Sequence, residues 1–203
     1  SFSSACNIPN FADVSEGNVL EMSFKANFGT SASMLIAGLT GAESNDADAY
    51  LSTEKNKEII SGEWLNVSIC VDNAKNATLV MTDAEGKLVS SKSFTAAGDT
   101  IGKTVFFVNN TDTSIDDLKV SQKAKDTSAV TLTVTDTEGT ALSGANVTIG
   151  RLSTTSDENG KVNIVVPDGS YDYEIKKDGY VATETSTGTI EVAGSAVEKN
   201  GSN

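Results

Sequence analysis

The chain has no histidine, one arginine (Arg151), two prolines, two cysteines and one tryptophan among 203 residues. Each shortage removes a class of function. Without histidine there is no Ser-His-Asp triad, no Cys-His nucleophile, no imidazole general base and no His-ligated zinc. One arginine in a chain of formal net charge −13 leaves no basic patch to meet phosphates, so nucleic acid is not an expected partner. No apolar run approaches the roughly 18 residues of a helical membrane span, and membrane insertion is not expected. Cys6 and Cys70 are too few for a disulfide framework, and both a single bridge and two thiols remain open. Initiator methionine, signal peptide and C-terminal sorting motif are absent. The sequence therefore reads as a piece of something longer, with export directed from outside it.

What is present is strand periodicity. Along residues 19–28, Leu20, Met22, Phe24, Ala26 and Phe28 share one face, and Glu21, Ser23, Lys25 and Asn27 share the other. Along residues 64–71, Leu65, Val67, Ile69 and Val71 alternate with Trp64, Asn66, Ser68 and Cys70. Residues 79–82, 88–94, 104–108 and 114–120 are further expected strands. The charged stretch 43–58 predicts a loop or one helical turn. Turn chemistry agrees with an all-β chain. Asp83-Ala84-Glu85-Gly86, Asp136-Thr137-Glu138-Gly139 and Asp157-Glu158-Asn159-Gly160 share an Asp-x-x-Gly form. The Asp can accept from the backbone ahead, and the Gly takes the positive φ of a bulged hairpin. These loops lack the repeated ligands and distal Glu of an EF-hand, so they read as plain turns.

Composition places a boundary in the polar stretch 123–128, read as a linker between residues 1–122 and 129–203. The part before it, 1–122, holds eight lysines against sixteen acids, and both parts are acidic. In the second part, rows of inward residues are expected: Val130, Leu132 and Val134; Val147 and Ile149; Val162, Ile164 and Val166; Tyr171, Tyr173 and Ile175; Ile190 and Val192. Each row suits one face of a sandwich sheet. Tyr180 is expected to pack across the sandwich edge.

Two resemblances follow from these motifs. Val130-Thr131-Leu132-Thr133-Val134-Thr135-Asp136, Leu142-Ser143-Gly144-Ala145-Asn146-Val147, Asp157-Glu158-Asn159-Gly160 and Lys177-Asp178-Gly179-Tyr180 resemble the carboxypeptidase regulatory-like family of bacterial Ig-type domains over residues 129–193. That resemblance implies a spacer or stalk. Trp64-Leu65-Asn66-Val67-Ser68-Ile69-Cys70-Val71-Asp72 and Ser114-Ile115-Asp116-Asp117-Leu118-Lys119-Val120 resemble concanavalin A-like or laminin-G-like modules. The fold expected is therefore a jelly-roll β-sandwich followed by a smaller Ig-like β-sandwich.

Trp64 has two readings, structural packing or a stacking face for a sugar ring. Glu21, Lys25, Asn27, Asn66 and Ser68 are the small polar groups beside it that would suit hydroxyl recognition, or would form an ordinary solvated face. Asp116 shares strand parity with Leu118 and Val120, which predicts an inward carboxylate near the sheet rim. Such a group needs a partner. Asp116 or Asp117 with backbone carbonyls could hold a structural Ca2+, or Asp116 could accept loop N–H groups with no metal. Glycosidases on such a fold need a Glu-x-Asp-x-x-Glu run, which is missing. Asp46, Asp48, Glu54 and Glu58 are expected on a solvated surface.

The chain is thus expected not to be an enzyme. The leading reading is a carbohydrate-binding module plus spacer from a secreted or cell-surface multidomain polysaccharide-degrading enzyme. Its partner would be a polysaccharide, neutral rather than polyanionic, and the chain would be monomeric. The competing readings are a structural stalk or adhesin segment, and an accessory domain packed on a catalytic one.

Overall fold

The computed structural model describes residues 2–9, 13–29, 33–41, 48–99, 101, 104–110 and 112–202, and the side chains of all of these except 2–9 and 104–109. The chain is all-β and divides into two compact units. One holds residues 1–86 and 92–125, the other residues 87–91 and 126–203.

Nine strands build the two sheets associated with the first part of the chain: β1 (Phe2–Pro9), β2 (Asn18–Phe28), β3 (Met34–Gly38), β4 (Ala49–Ser52), β5 (Trp64–Asp72), β6 (Asn76–Thr82), β7 (Leu88–Thr95), β8 (Thr104–Asn110) and β9 (Thr113–Ala124). Their orders are β1-β8-β3-β4 and β7-β6-β5-β2-β9. The alternation read along β2 and β5 holds. Leu20, Met22, Phe24, Ala26 and Phe28 are buried with Leu65, Val67, Ile69 and Val71. The antiparallel register sets Asn27 opposite Trp64, Lys25 opposite Asn66 and Ser23 opposite Ser68, so the polar row forms one face. Cys70 stays on that face, opposite Glu21, but is buried there. The pairing question for Cys6 and Cys70 lies outside the described residues, because the Cys6 side chain is not among them.

Two expectations fail in this unit for physical reasons. The stretch 43–58 contains β4, which pairs with β3 in register from Met34 opposite Ser52 to Ala37 opposite Ala49. Asp48, expected on a solvated surface, is buried. Its carboxylate accepts the Leu39 N–H, the Thr40 N–H (3.1 Å) and the Thr40 hydroxyl (2.9 Å). A desolvated carboxylate persists there because donors surround it. Thr40 Oγ1 in turn accepts the Gly98 N–H at 3.0 Å, tying in the segment after β7. Asp46 lies outside the described residues.

Seven more strands follow: β10 (Thr127–Thr135), β11 (Asn146–Ile149), β12 (Leu152–Thr155), β13 (Lys161–Pro167), β14 (Gly169–Lys176), β15 (Thr187–Val192) and β16 (Val197–Ser202). They form a β13-β10-β16 sheet and a β12-β11-β14-β15 sheet. The expected inward rows are buried, from Val130, Leu132 and Val134 through Ile190 and Val192, with Tyr171 only half-buried. Tyr173 is buried against Gly188, where an added Cβ would meet its ring at 2.8–3.0 Å. Tyr180, expected to pack across the sandwich edge, is 45% exposed. The strand β16, which pairs in parallel with β10, was not expected. Its buried position is Gly201, and an added Cβ there would lie 2.4 Å from Ile175 Cδ1. The residues read as a linker, 123–128, lie mostly in the ends of β9 and β10, with Lys125 and Asp126 between them.

The Asp-x-x-Gly segments are turns of one kind. Gly86, Gly139 and Gly160 have φ of 82°, 85° and 72°, and each donates its N–H to the carbonyl of the Asp three residues back. The Asp carboxylates accept from Glu85, from Glu138 and Thr140, and from Asn159 and Lys161. In each turn a single carboxylate oxygen, Oδ1, accepts these N–H groups, the pattern of an Asx turn.

Candidate functional site: a concavity beside Trp64

The outer face of β9-β2-β5 carries a shallow concavity of about 410 Å³ lined by Lys25, Trp64, Asn66, Ala84 and Asp116. Four of these were predicted from sequence, and the ladder explains how they meet. Lys25 is the shared neighbour, opposite Asn66 on β5 and opposite Asp116 on β9. Directly opposed residues of antiparallel strands point to the same face. Trp64 opens β5 two residues before Asn66, so it stands on that face, and it is 42% exposed. The loop leading to it is held by Asn27, whose Nδ2 donates to the Gly62 carbonyl at 2.9 Å. Asn66 is oriented by the turn after β6: its Nδ2 donates to the Asp83 carbonyl at 3.0 Å. Ala84 on that turn forms one wall. Sequence reading missed this wall: the Asp-x-x-Gly signal located the turn but not its neighbour across the sheet.

Asp116 is the chief correction. Parity with Leu118 and Val120 predicts an inward carboxylate, yet Asp116 is exposed. The register between β2 and β9 shifts between Ser23 and Lys25. Asp117 occupies the shift with φ +55°, in the left-handed region. This is a β-bulge, which adds one residue to β9 and reverses the parity on either side. Val120 stays opposite Met22 and Ile115 opposite Ala26, both of which are inward on β2, while Asp116 turns outward with Lys25.

The bulge also sets the electrostatics. Lys25 Nζ lies 2.6 Å from Asp117 Oδ2. That hydrogen bond and charge, with a smaller push from Asp116, hold the Lys25 ammonium above its ordinary pKa. Asp116 Oδ1 accepts the Asp117 N–H at 2.9 Å. Calcium takes about six to eight oxygen ligands. Here one carboxylate is bound to a lysine and its neighbour to a backbone N–H. Among the described residues no group of three or more Asp, Glu or Cys side chains is placed to hold a metal. A calcium ion at Asp116 and Asp117 would have to compete with both of these partners.

Glu21 and Ser68 lie on the same face outside the concavity. Glu21 Oε1 accepts the Ser68 hydroxyl at 2.7 Å and lies 2.8 Å from Lys123 Nζ, with Cys70 Sγ 3.8 Å away. This cluster satisfies itself. In the second unit Tyr173 is buried and Tyr171 donates to the Pro167 carbonyl at 2.8 Å.

The two sheets of the second unit, β13-β10-β16 and β12-β11-β14-β15, agree with its sequence signal. Residues 129–199 match the carboxypeptidase regulatory-like domain family. A 69-residue stretch is 44% identical to part of a viral protein named Structural protein 27 (virus isolate Australia/Victoria), amounting to 34% of this chain and 13% of that protein. Among solved structures, a streptococcal ancillary pilin aligns at 12% identity and TM-score 0.36 over 70% of this chain and 51% of the pilin chain. The Bacillus anthracis TIE protein aligns at 14% and 0.33 over 91% and 51%. The binding domain of botulinum neurotoxin DC, in complex with rat synaptotagmin II, aligns at 13% and 0.30 over 81% and 57%. Superpositions this partial do not establish a common fold. Among the described residues no helix is long and apolar enough to cross a membrane.

Proposed function

We propose that this chain is a non-catalytic, extracellular recognition segment: the first unit holds a saccharide in the Trp64 concavity, and the carboxypeptidase regulatory-like domain acts as its spacer. The observation that carries the reading is an exposed indole beside Lys25, Asn66 and Asp116 in one depression. An aromatic face with a few fixed polar groups is the usual composition of a sugar site. A binding rather than hydrolytic role is supported by the charge pairing. Hydrolysis takes two carboxyl groups flanking the bond. Asp117 is committed to Lys25, which leaves Asp116 alone in the concavity.

Trp64 is the only tryptophan of the chain, so its fluorescence reports on this site without labelling. Titrating the full chain with neutral oligosaccharides should shift that emission. Trp64→Ala should abolish binding measured by calorimetry while leaving the unfolding free energy from urea titration within about 1 kcal/mol, as befits a half-exposed side chain. No heat and no emission change across such sugars would overturn the reading. A second reading, a structural segment of a surface assembly, is favoured by the 44% identity to part of a viral structural protein.

A further inference from the structure

Resting on the saccharide reading, we infer that the Trp64 concavity selects a sugar carrying a protonated amine over neutral and acidic sugars. Three observations combine. First, the single cation of the concavity is already taken, since Lys25 lies 2.6 Å from Asp117. An incoming carboxylate or sulfate would have to displace Asp117 to reach it. Second, the anion facing the concavity is not neutralised. Asp116 accepts one backbone N–H through Oδ1 and has no ion pair to a described lysine or arginine. The sum over Lys25, Asp116 and Asp117 is one negative charge. Third, the indole sharing the depression is the aromatic face that best attracts an ammonium group. A sugar ring stacked on Trp64 with its ammonium toward Asp116 would use both attractions. Asn66 is held to the Asp83 carbonyl through its Nδ2, which leaves its carbonyl oxygen to accept from a hydroxyl or an ammonium. The chain's net charge of −13 adds a long-range bias in the same direction, but that bias would not distinguish this site from any other surface.

The test uses Trp64 fluorescence and calorimetry on the full chain in mildly acidic buffer, where the sugar amine is protonated. The probes are glucosamine oligomers, their N-acetylated counterparts, galacturonate oligomers and oligolysine of matched length. The expected order is glucosamine oligomer tightest, by roughly five- to tenfold over the N-acetylated form, with galacturonate weakest; this is the scale of one exposed charge pair plus a cation–π contact. Asp116→Asn can still accept the Asp117 N–H, and it should bring the two glucosamine series to within about twofold of each other. Asp178→Asn, an acid in the second unit, should change nothing.

Equal affinity of the wild-type chain for the charged and acetylated series would overturn the inference and leave the saccharide reading standing. Loss of preference in Asp178→Asn as well would reduce it to bulk attraction and also overturn it. Oligolysine binding as tightly as the glucosamine series, with the same dependence on Asp116, would overturn the sugar part. Silence of all four probes would overturn both readings together.

Discussion

The strands β10 and β9 share a sequence character, apolar residues spaced among polar ones, but they obey different rules. β10 alternates without a break: Ser128, Val130, Leu132 and Val134 are buried and every residue between them is not. It pairs on both sides, with β13 antiparallel and β16 parallel. An extra residue would dislocate two ladders at once. β9 is the last strand of its sheet and pairs only with β2, so a bulge costs it one local irregularity. The bulge at Asp117 carries Asp116 out of the core side and into the concavity. Position within the sheet, which a single sequence does not display, decides whether period-two parity can be trusted.

The largest expected effect is on the regular side of this comparison. Leu132 is fully buried, and Leu132→Ala should cost about 3 kcal/mol, within the usual range of about 2–5 for a core leucine. The same change at Leu118, 37% exposed next to the bulge, should cost under about 1 kcal/mol. Urea unfolding of both variants measures the contrast. Comparable losses would mean that Leu118 is a core residue despite its place beside the bulge.

Next in size is a contrast between two acids of the first unit. Asp48→Ala would leave the Leu39 and Thr40 N–H groups without their acceptor in a buried place, at a cost of about 2 kcal/mol or more. Asp116→Ala, on the exposed face, should change the unfolding free energy by less than about 0.5 kcal/mol. If Asp48→Ala unfolds at the wild-type midpoint, the carboxylate is not the clamp between the end of β3 and the start of β4.

These contrasts mark how far the sequence could be read. β2 and β5 were legible because strict alternation over many residues admits one burial pattern, and with them came Lys25, Trp64 and Asn66 as neighbours on one face. The inward rows of the second unit were legible for the same reason. Asp48 was not, since an acid in a charged stretch looks like surface until its donors are brought up by β3. Nor was β16. Its one buried position is a glycine packed on Ile175 of the opposite sheet, and of the residues sharing its parity only Val197 is apolar, so the hydrophobic signal is weak. Ala84 entered the site through a turn whose chemistry was plain but whose spatial neighbour depends on the β5-β6 register.

A smaller effect is the pH dependence of the Asp-centred turn at Asp72. Partial burial pushes the Asp72 carboxyl up, but hydrogen bonds from the Asn76 side chain and from the Asn76 and Ala74 N–H groups, with the charge of Lys125, outweigh it and leave the pKa below 3.8. A carboxyl whose folded pKa lies below its unfolded value adds stability above the unfolded value and loses it as pH falls through the folded one. Asp72→Asn should therefore be less stable than wild type near neutrality, with the gap closing below pH 3.8. Urea midpoints of the pair along an acid series test this. A gap that persists unchanged in acid would assign the effect to turn geometry and not to the charge.

The smallest effect tests the comparison most directly, through a reversal of sign. At an ordinary strand position alanine is more stable than glycine, because glycine loses more backbone freedom on folding. Thr131 on β10 is such a position, so Thr131→Ala should be more stable than Thr131→Gly by about 0.5–1 kcal/mol. Asp117 has φ +55°, where a Cβ is penalised and glycine is not. Both substitutions there remove the same half-exposed ion pair with Lys25, so its small contribution cancels between them. Asp117→Gly should then be the more stable of the two, by a similar margin. Alanine winning at both positions would place Asp117 in regular strand geometry. Asp116 would then return to the inward parity read from sequence, and the concavity would lose its unneutralised carboxylate.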